Sequence, residues 1–332
     1  MTRLVIVAPN WLGDAVMALP AIADVRRALP GATIAVAARP SVASLFAMAS
    51  DVDEVVVQAS HVGRARSGPA GTSPSFDVAV LFPNSFRSAL DARRAGIPER
   101  WGYRTDARGL LLTRAVPRAP AGTHQVESYR HLVHALGFPN GPGEPRLEVK
   151  AEDRDAGRRA LTQAGWDGAS PLVVLAPGAA FGGAKRWPPG SFADLARELG
   201  RDGVRPVLVG SAADEPTKRE IEGALGPDWT TIVNLVGKTN LPTLAGVLAH
   251  ARGLVANDSG AVHLGAAIGV PVTTIFGPTD ERTNAPRSTA PTAVLAHPVW
   301  CRPCWLRECP LDHRCMRGIS VSAVAAATRR ML

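Results

Sequence analysis

Aromatic residues are scarce in this chain: they make up 5% of 332 residues, with only two tyrosines. There is no glycine–aromatic RNA-binding signature and no helix-turn-helix pattern, so nucleic acid is not expected as a partner. Long apolar runs are missing too. No segment approaches the ~20 uninterrupted apolar residues of a membrane-spanning helix, and 46% hydrophobic with 20% charged residues predicts a soluble globular protein. A secretory signal is also lacking. The stretch MTRLVIVAP has one basic residue and a short apolar run ending at a proline, which reads as a first core strand of a cytoplasmic protein. Cysteine is absent until CRPCWLRECPLDHRC, which holds all four: Cys301, Cys304, Cys309 and Cys315. A reducing compartment argues against disulfides. Four clustered thiolates are candidate ligands for a structural zinc ion, with His313 as a spare, although the spacing is not that of a zinc ribbon. The alternative is a set of reduced thiols packing a tail loop.

A further absence lies near the start, in VAPNWLGDAVMALP. A dinucleotide fingerprint needs three glycines at this strand-to-helix turn; here Gly13 stands alone, followed at once by Asp14. What the chain does have is positive charge. Lys plus Arg number 37 against 29 Asp plus Glu, giving +8 and a pI near 10.0, which favours an anionic partner.

The length suggests two domains. Short Val- and Ile-rich runs alternate with helix-like segments, the pattern of βαβ units around parallel sheets. Strands are expected at RLVIVAP, TIAVAAR, DEVVVQ and DVAVLFP, then at LVVLAP, PVLVG, TIVNLVG, GLVAND, VTTIFGP and TAVLAHP. Helices are expected between them, the first over 14–29. The Pro- and Gly-rich stretch 137–150 marks a domain boundary, giving domains at 1–150 and 151–315 and a final helical segment at 316–332, which can cross back to the first domain. Residues 63–75 read as a mobile low-complexity loop. In such sheets ligands bind beyond the carboxyl ends of the strands.

Four motifs stand at such ends. In VANDSGAVHLGAAIGVP, Asp258, Ser259 and Gly260 open a helix whose first amides suit a diphosphate, with His263 one turn in; the alternative is a plain helix cap. In LAPGAAFGGAKRWPP, glycines precede Lys185 and Arg186, cations suited to phosphate, or merely a solvated basic pair. In LVGSAADEP, Asp214 or Glu215 can accept hydrogen bonds from ribose hydroxyls, or simply favour the next helix. Asp14 can be a general base or a structural residue at a helix start. Asp51 and Asp53 form a DxD string that leads into a strand and reads as a turn.

Taken together, PNWLGDAVMALPAI, LFPNSFRSALDARRAGIPERWGYRTDARGLLL, PGAAFGGAKRWPP, GSAADE and NDSGAVHLGAAIGVPVTTIFGPTD resemble the ADP-heptose:lipopolysaccharide heptosyltransferases, glycosyltransferase family 9. The members that add the second heptose of the inner core are the nearest match. The resemblance implies a GT-B glycosyltransferase of the α/β class: two Rossmann-like, doubly wound parallel sheets facing across a cleft, the first domain taking the acceptor and the second the nucleotide sugar. It implies an inverting transfer of heptose from ADP-heptose to heptosyl-Kdo2-lipid A, with Asp14 as base. Lys185, Asp214, Asp258, Ser259, Gly260 and His263 are implied to bind the donor, and no metal is required for catalysis. Arginines at 87, 93, 94, 100, 104 and 108 suit an anionic glycolipid acceptor, with Arg87, Arg94 and Arg104 as the contact candidates. A monomer held peripherally at the inner face of the cytoplasmic membrane is expected. Related donors or acceptors, a nucleotide-sugar epimerase and a non-catalytic nucleotide-sugar binder are the alternatives.

Overall fold

The structure, a computed structural model, describes residues 2–57 and 76–332; the 63–75 stretch read as a loop lies outside them. The chain divides into two units, Met1–Glu148 and Val149–Leu332. Among the described residues each unit is built on one six-stranded parallel sheet. The first contains β1 (Arg3–Val7), β2 (Thr33–Ala38), β3 (Glu54–Val57), β4 (Val78–Leu81), β5 (Glu99–Tyr103) and β6 (Arg114–Val116), in the order β3-β2-β1-β4-β5-β6. The second contains β7 (Leu172–Ala176), β8 (Arg205–Leu208), β9 (Val233–Asn234), β10 (Gly253–Asn257), β11 (Val272–Phe276) and β12 (Thr292–Ala296), in the order β12-β11-β10-β7-β8-β9. Counted within each unit, both sheets have the same strand order, that of a Rossmann fold. The order reverses between β1 and β4 and again between β7 and β10, and a crevice for ligand opens at such a reversal.

The central strands form where apolar residues run without interruption, because helices cover both faces of a parallel sheet. Leu4, Val5 and Ile6 of β1 and Leu172, Val173 and Val174 of β7 are at most 1% exposed. β5 and β6 were not expected from the sequence. Their segments, ERWGY and RAV, carry charges and have exposed first residues; they are strands because β4 offers β5 a pairing edge and β5 in turn offers one to β6.

The expected single helix over 14–29 is two, Leu12–Met17 and Leu19–Ala28, separated at Ala18. Pro20 explains the break: it lacks an N–H, so it is tolerated only in the first turn of a helix, and a new helix starts there. The helices Phe86–Arg94 and Leu241–Ala249 lie between strands, as expected, and Ala151–Gln163 precedes β7. Ala151–Gln163 packs on Leu241–Ala249 with the backbones almost touching. A Cβ on Gly157 would lie 2.3 Å from the Gly246 carbonyl carbon, so only glycine fits. The helix Val321–Arg329, for which the sequence allows a return to the first domain, packs on the Pro189–Arg201 helix and β11 of the second unit. There Thr328 Oγ1 lies 3.1 Å from Thr273 Oγ1.

One buried carboxylate ties the helical layer of the first unit together. Asp24, fully buried, accepts from Arg27 Nη2 at 2.6 Å, Arg130 Nε at 3.1 Å and the Gly141 amide at 2.8 Å. It thereby joins the Leu19–Ala28 helix to the Gln125–Ala135 helix. The two aspartates of the DxD string do form a turn: Asp53 accepts from the Ile34 amide at 2.7 Å and pairs with Arg26. Breaking a buried pair from one side leaves the other charge uncompensated. Asp24→Ala is therefore expected to lower the stability of the first unit by about 3–5 kcal/mol, seen as an earlier unfolding transition in urea; a loss below about 1 kcal/mol would show that Arg130 finds other partners.

Candidate active site

In the second unit the residues beyond β7, β10 and β11 converge on one carboxylate. Asp258, directly after β10, is held by Lys185 Nζ at 2.5 Å and by Thr279 Oγ1 at 2.6 Å. The Lys185 and Asp258 side chains are 12% and 5% exposed, and Thr279 is fully buried. Lys185 also lies 4.8 Å from the centre of the Phe181 ring, and Arg307 lies over the same ring at 5.4 Å. The preceding residue, Asn257, fixes the chain on either side of the Lys185 loop. Its Oδ1 accepts from the Trp187 amide at 3.0 Å, and its Nδ2 donates to the Pro177 carbonyl at 2.7 Å.

Ser259 stands at the N-cap of the helix Gly260–Ile268 in extended conformation, yet its side chain makes no capping hydrogen bond. The first-turn amides of Gly260 and its neighbours thus receive no acceptor from it, the condition under which a helix start attracts an anion. His263 is buried one turn in. Asp214 closes a capping box with Ser211, accepting from its amide and its hydroxyl at 2.8 Å each. That box places the carboxylate over the ends of β7 and β8: a Cβ on Gly178 would meet Asp214 Oδ1 at 2.5 Å. Glu215 points elsewhere, to Lys218 and Arg219 at 3.4 Å each.

In the first unit Asp14 lies in the short helix after β1. Its charge acts on the hydroxyl of Tyr129, in the Gln125–Ala135 helix. Tyr129 packs on Phe82, the residue after β4, with ring centres 5.1 Å apart. Burial, and next the charge of Asp14, hold the Tyr129 hydroxyl well above the ordinary tyrosine range. The other tyrosine, Tyr103, is pushed up to about 12 by burial and donates to the Ser128 carbonyl.

Both units therefore present polar side chains at the strand-order reversal of their sheet, which is where a nucleotide-sugar enzyme of two Rossmann-like halves would need them. The sequence model of glycosyltransferase family 9 (heptosyltransferase) matches residues 72–314. The chain belongs to that family. It is similar to lipopolysaccharide heptosyltransferase 2 of Escherichia coli K12, 31% identical over 303 residues that make up 86% of each chain. The Salmonella typhimurium protein of the same name is 32% identical over 305 residues, again 86% of each. The solved structure of the E. coli ADP-heptose lipopolysaccharide heptosyltransferase II superposes with a TM-score of 0.82 over 100% of this chain and 98% of that one, at 28% identity. This family 9 glycosyltransferase has the GT-B class of fold expected from its motifs.

Of the six arginines noted in the first half of this family 9 chain, two are structural. Arg100 donates to the carbonyls of Ile97, Pro98 and Leu111. Arg108, fully buried, donates to the carbonyls of Tyr103 and Pro83 and to Ser88. Burial lowers its guanidinium to about 10. Arg87, Arg94 and Arg104 are exposed. Arg104 follows β5 at the ligand end of the sheet. Arg87 opens the helix after β4 and leans on Asp91 at 2.9 Å. Arg94 closes that helix, about 10 Å further along its axis, and the helix runs antiparallel to the strands, so Arg94 lies toward the opposite edge.

The four cysteines line one cavity of about 20 Å³, shared with Ala184 and Pro278 and no larger than a single water needs. Among the described residues, no group of three or more His, Cys, Asp or Glu side chains is placed to hold a metal ion. A zinc ion there requires the thiols to close in from the positions they hold. The loop that carries them has another contact. The Arg307 carbonyl accepts from the Ala184 amide at 2.9 Å and Glu308 Oε1 from the Gly183 amide at 3.0 Å. Gly182 and Gly183 thus make room for this tail rather than for a phosphate: a Cβ on Gly182 would meet the Arg307 carbonyl at 2.3 Å.

Thr279, Asn257 and Tyr129 were not singled out from the sequence. The first two do follow or end strands within a recognised motif, a signal that was available; Tyr129 sits mid-helix at core spacing. Two tyrosines, both raised, predict a simple titration. Between pH 10 and 12 the folded state retains phenolic protons that the unfolded chain releases, so stability falls as pH rises through that window. Tyrosinate absorbance near 295 nm is expected to stay flat through pH 10 and to rise only toward 12 or on unfolding; a full native-state transition at 10 would contradict the burial of both hydroxyls.

Proposed function

We propose that this glycosyltransferase moves heptose from ADP-heptose to the heptosylated Kdo–lipid A inner core of lipopolysaccharide, inverting the anomeric configuration. The reading rests on one observation above the others: the Lys185–Asp258–Thr279 cluster stands beside a helix start that no side chain caps, at the strand-order reversal of the second sheet. Negative charge grows on the diphosphate as it leaves. Lys185 has three N–H donors, of which Asp258 takes one, so two remain for phosphate oxygens. The amides at Ser259 and Gly260 and the positive end of their helix meet the same charge. Thr279 and Asp258 orient the lysine. Asp214 is placed over the ends of β7 and β8, where it can accept from ribose hydroxyls, and His263 is held one turn into the phosphate helix.

In the first unit Asp14 takes the proton from the attacking hydroxyl of the acceptor. An ionised carboxylate has about four acceptor sites, so Asp14 can accept from the acceptor hydroxyl alongside the groups the protein brings to it. Arg87 and Arg104 suit the carboxylates and phosphates of an inner-core glycolipid, since guanidinium binds such groups in bidentate fashion. Arg94, toward the opposite edge of the sheet, is the weakest of the three candidates. Among the described residues no helix is long and apolar enough to cross a membrane. With a charge of +8, peripheral and salt-sensitive attachment to the inner face of the cytoplasmic membrane supplies the route to a lipid-anchored acceptor.

The test is ADP release from ADP-heptose with heptosyl-Kdo2-lipid A, under conditions where chemistry limits the rate. Asp14→Asn is expected to lower kcat by about 10²- to 10⁴-fold while leaving donor affinity in place. Lys185→Ala is expected to cost about 10²- to 10³-fold, with weaker ADP binding as well. Full activity of Asp14→Asn would remove the base assignment, and absence of turnover with this donor and acceptor would remove the substrate assignment.

A further inference from the structure

We propose that the segment 300–317 of the second unit is a membrane-docking surface, which seats Trp300, Trp305, Leu306 and Leu311 in the interfacial layer of an anionic lipid bilayer. The inference rests on the reading of this enzyme as peripherally attached to a membrane, and it names the part of the chain that makes the contact. Of the ten large apolar side chains exposed among the described residues, these four lie between positions 300 and 311. Trp300 is 78% exposed and the other three 45–48%. Exposed apolar residues scattered singly need no explanation, whereas a grouped set marks an interaction site. Residues 303–308 are exposed without interruption and form the tip.

The four side chains are grouped in space as well as in sequence. Leu311 lines the small cavity that Cys304 and Arg314 also line; Trp305 and Leu306 follow Cys304 directly, and the Arg314 guanidinium lies over the Trp300 ring at 5.9 Å. The backbone that carries them is pinned to the fold. The Cys304 and Trp305 amides both donate to the Pro278 carbonyl at 2.9 Å, and Arg302 donates to the Gly277 carbonyl at 2.7 Å and the Thr279 carbonyl at 3.0 Å. Further along, the Arg307 carbonyl and Glu308 are held by amides of the Lys185 loop. Trp305 itself stands at φ 58°, a left-handed conformation that a bulky residue keeps only where its surroundings impose it. The tip is therefore presented in a fixed shape, and seating it in a bilayer costs little ordering entropy.

The charge around the patch selects the occupant. Arg302 and Arg314 are paired with Glu281 and Asp312, and Glu308 is engaged by the Gly183 amide at 3.0 Å. That leaves Arg307 and Arg317, both exposed and in no ion pair among the described residues. A second copy of the chain, docked through the same face about a two-fold axis, would bring these like charges together. An anionic bilayer offers the opposite charge. Its interfacial layer also suits both residue types: an indole has an apolar body and one N–H, and an arginine stem lies along apolar surface while its head reaches phosphate.

Co-sedimentation with extruded vesicles of phosphatidylglycerol and phosphatidylethanolamine reads the contact. Binding is expected to fall at least about tenfold when Trp300→Ser, Trp305→Ser and Leu306→Ser are combined, and about fivefold in Arg317→Ala, with ADP binding and melting temperature unchanged in both. Depth is read on the unsubstituted loop. In Trp11→Phe, which removes the half-exposed tryptophan of the first unit, vesicles brominated on their acyl chains are expected to quench the tryptophan emission. Equal vesicle binding by the wild type and the triple variant would overturn the inference and leave peripheral attachment standing. Unquenched emission from vesicle-bound Trp11→Phe would do the same, and this readout decides the matter even if the triple variant fails to fold. No binding of the wild type to these vesicles would remove the attachment itself, and the inference with it. Self-association in sedimentation velocity that the triple variant loses while keeping its vesicle binding would assign the patch to a second copy of the chain and overturn the inference.

Discussion

The second unit is organised around the charge of Asp258. A carboxylate at the end of a central strand, with little access to water, is stable only if cations and donors are brought to it. The chain brings one from each neighbouring strand end: Lys185 from beyond β7 and Thr279 from beyond β11. Three otherwise independent loops are thereby held in register. The arrangement gives the lysine a fixed place beside a helix start that lacks a side-chain cap. A positive site prepared in this way does not have to reorganise when a phosphate arrives, and this is why preorganised charge is effective in catalysis.

The two sheets have the same strand order but use it differently. At the reversal in the second sheet there are Lys185 and a helix start that Ser259 does not cap, suited to a group that becomes more negative. At the reversal in the first there is the Asp14 carboxylate, in the short helix after β1, suited to a group that gives up a proton. A nucleotide turn rich in glycine would be misplaced after β1, because no pyrophosphate has to approach that backbone. In the proposed mechanism Asp14 serves proton transfer there, and the helix start after β10 is the one that takes the anion.

Much of this was legible in the chain itself, for identifiable reasons. β1, β4 and β7 are doubly covered and so read as unbroken apolar runs, β10 and β11 are equally buried but carry Asn257, Thr273 and Thr274, and Asp14 and Asp258 are conspicuous as the first charges after β1 and β10. β5 and β6 were invisible because ERWGY and RAV owe their conformation to a neighbour's edge rather than to their own composition. Pro20 was visible, but the two helices it separates were read as one. Arg100 and Arg108 looked like surface charge, since nothing in a sequence reveals that a guanidinium will turn back onto carbonyls of its own fold. Tyr129 is the clearest case: spaced like any core residue of an amphipathic helix, it becomes informative only when the fold brings its hydroxyl within reach of the Asp14 charge.

The contact of Arg307 and Glu308 with the amides of Ala184 and Gly183 has a consequence in time as well as in space. The strands that frame the Lys185 loop leave the ribosome well before the cysteine-bearing loop that braces it. The first unit can be complete, and the central strands of the second already paired, while the lysine still lacks its support. The Lys185 loop therefore does not mature in step with the sheet that carries it; its brace arrives only with the Arg307–Glu308 segment, beyond the end of β11, so that a chain interrupted there would hold a folded first unit and a second unit whose lysine loop is unbraced.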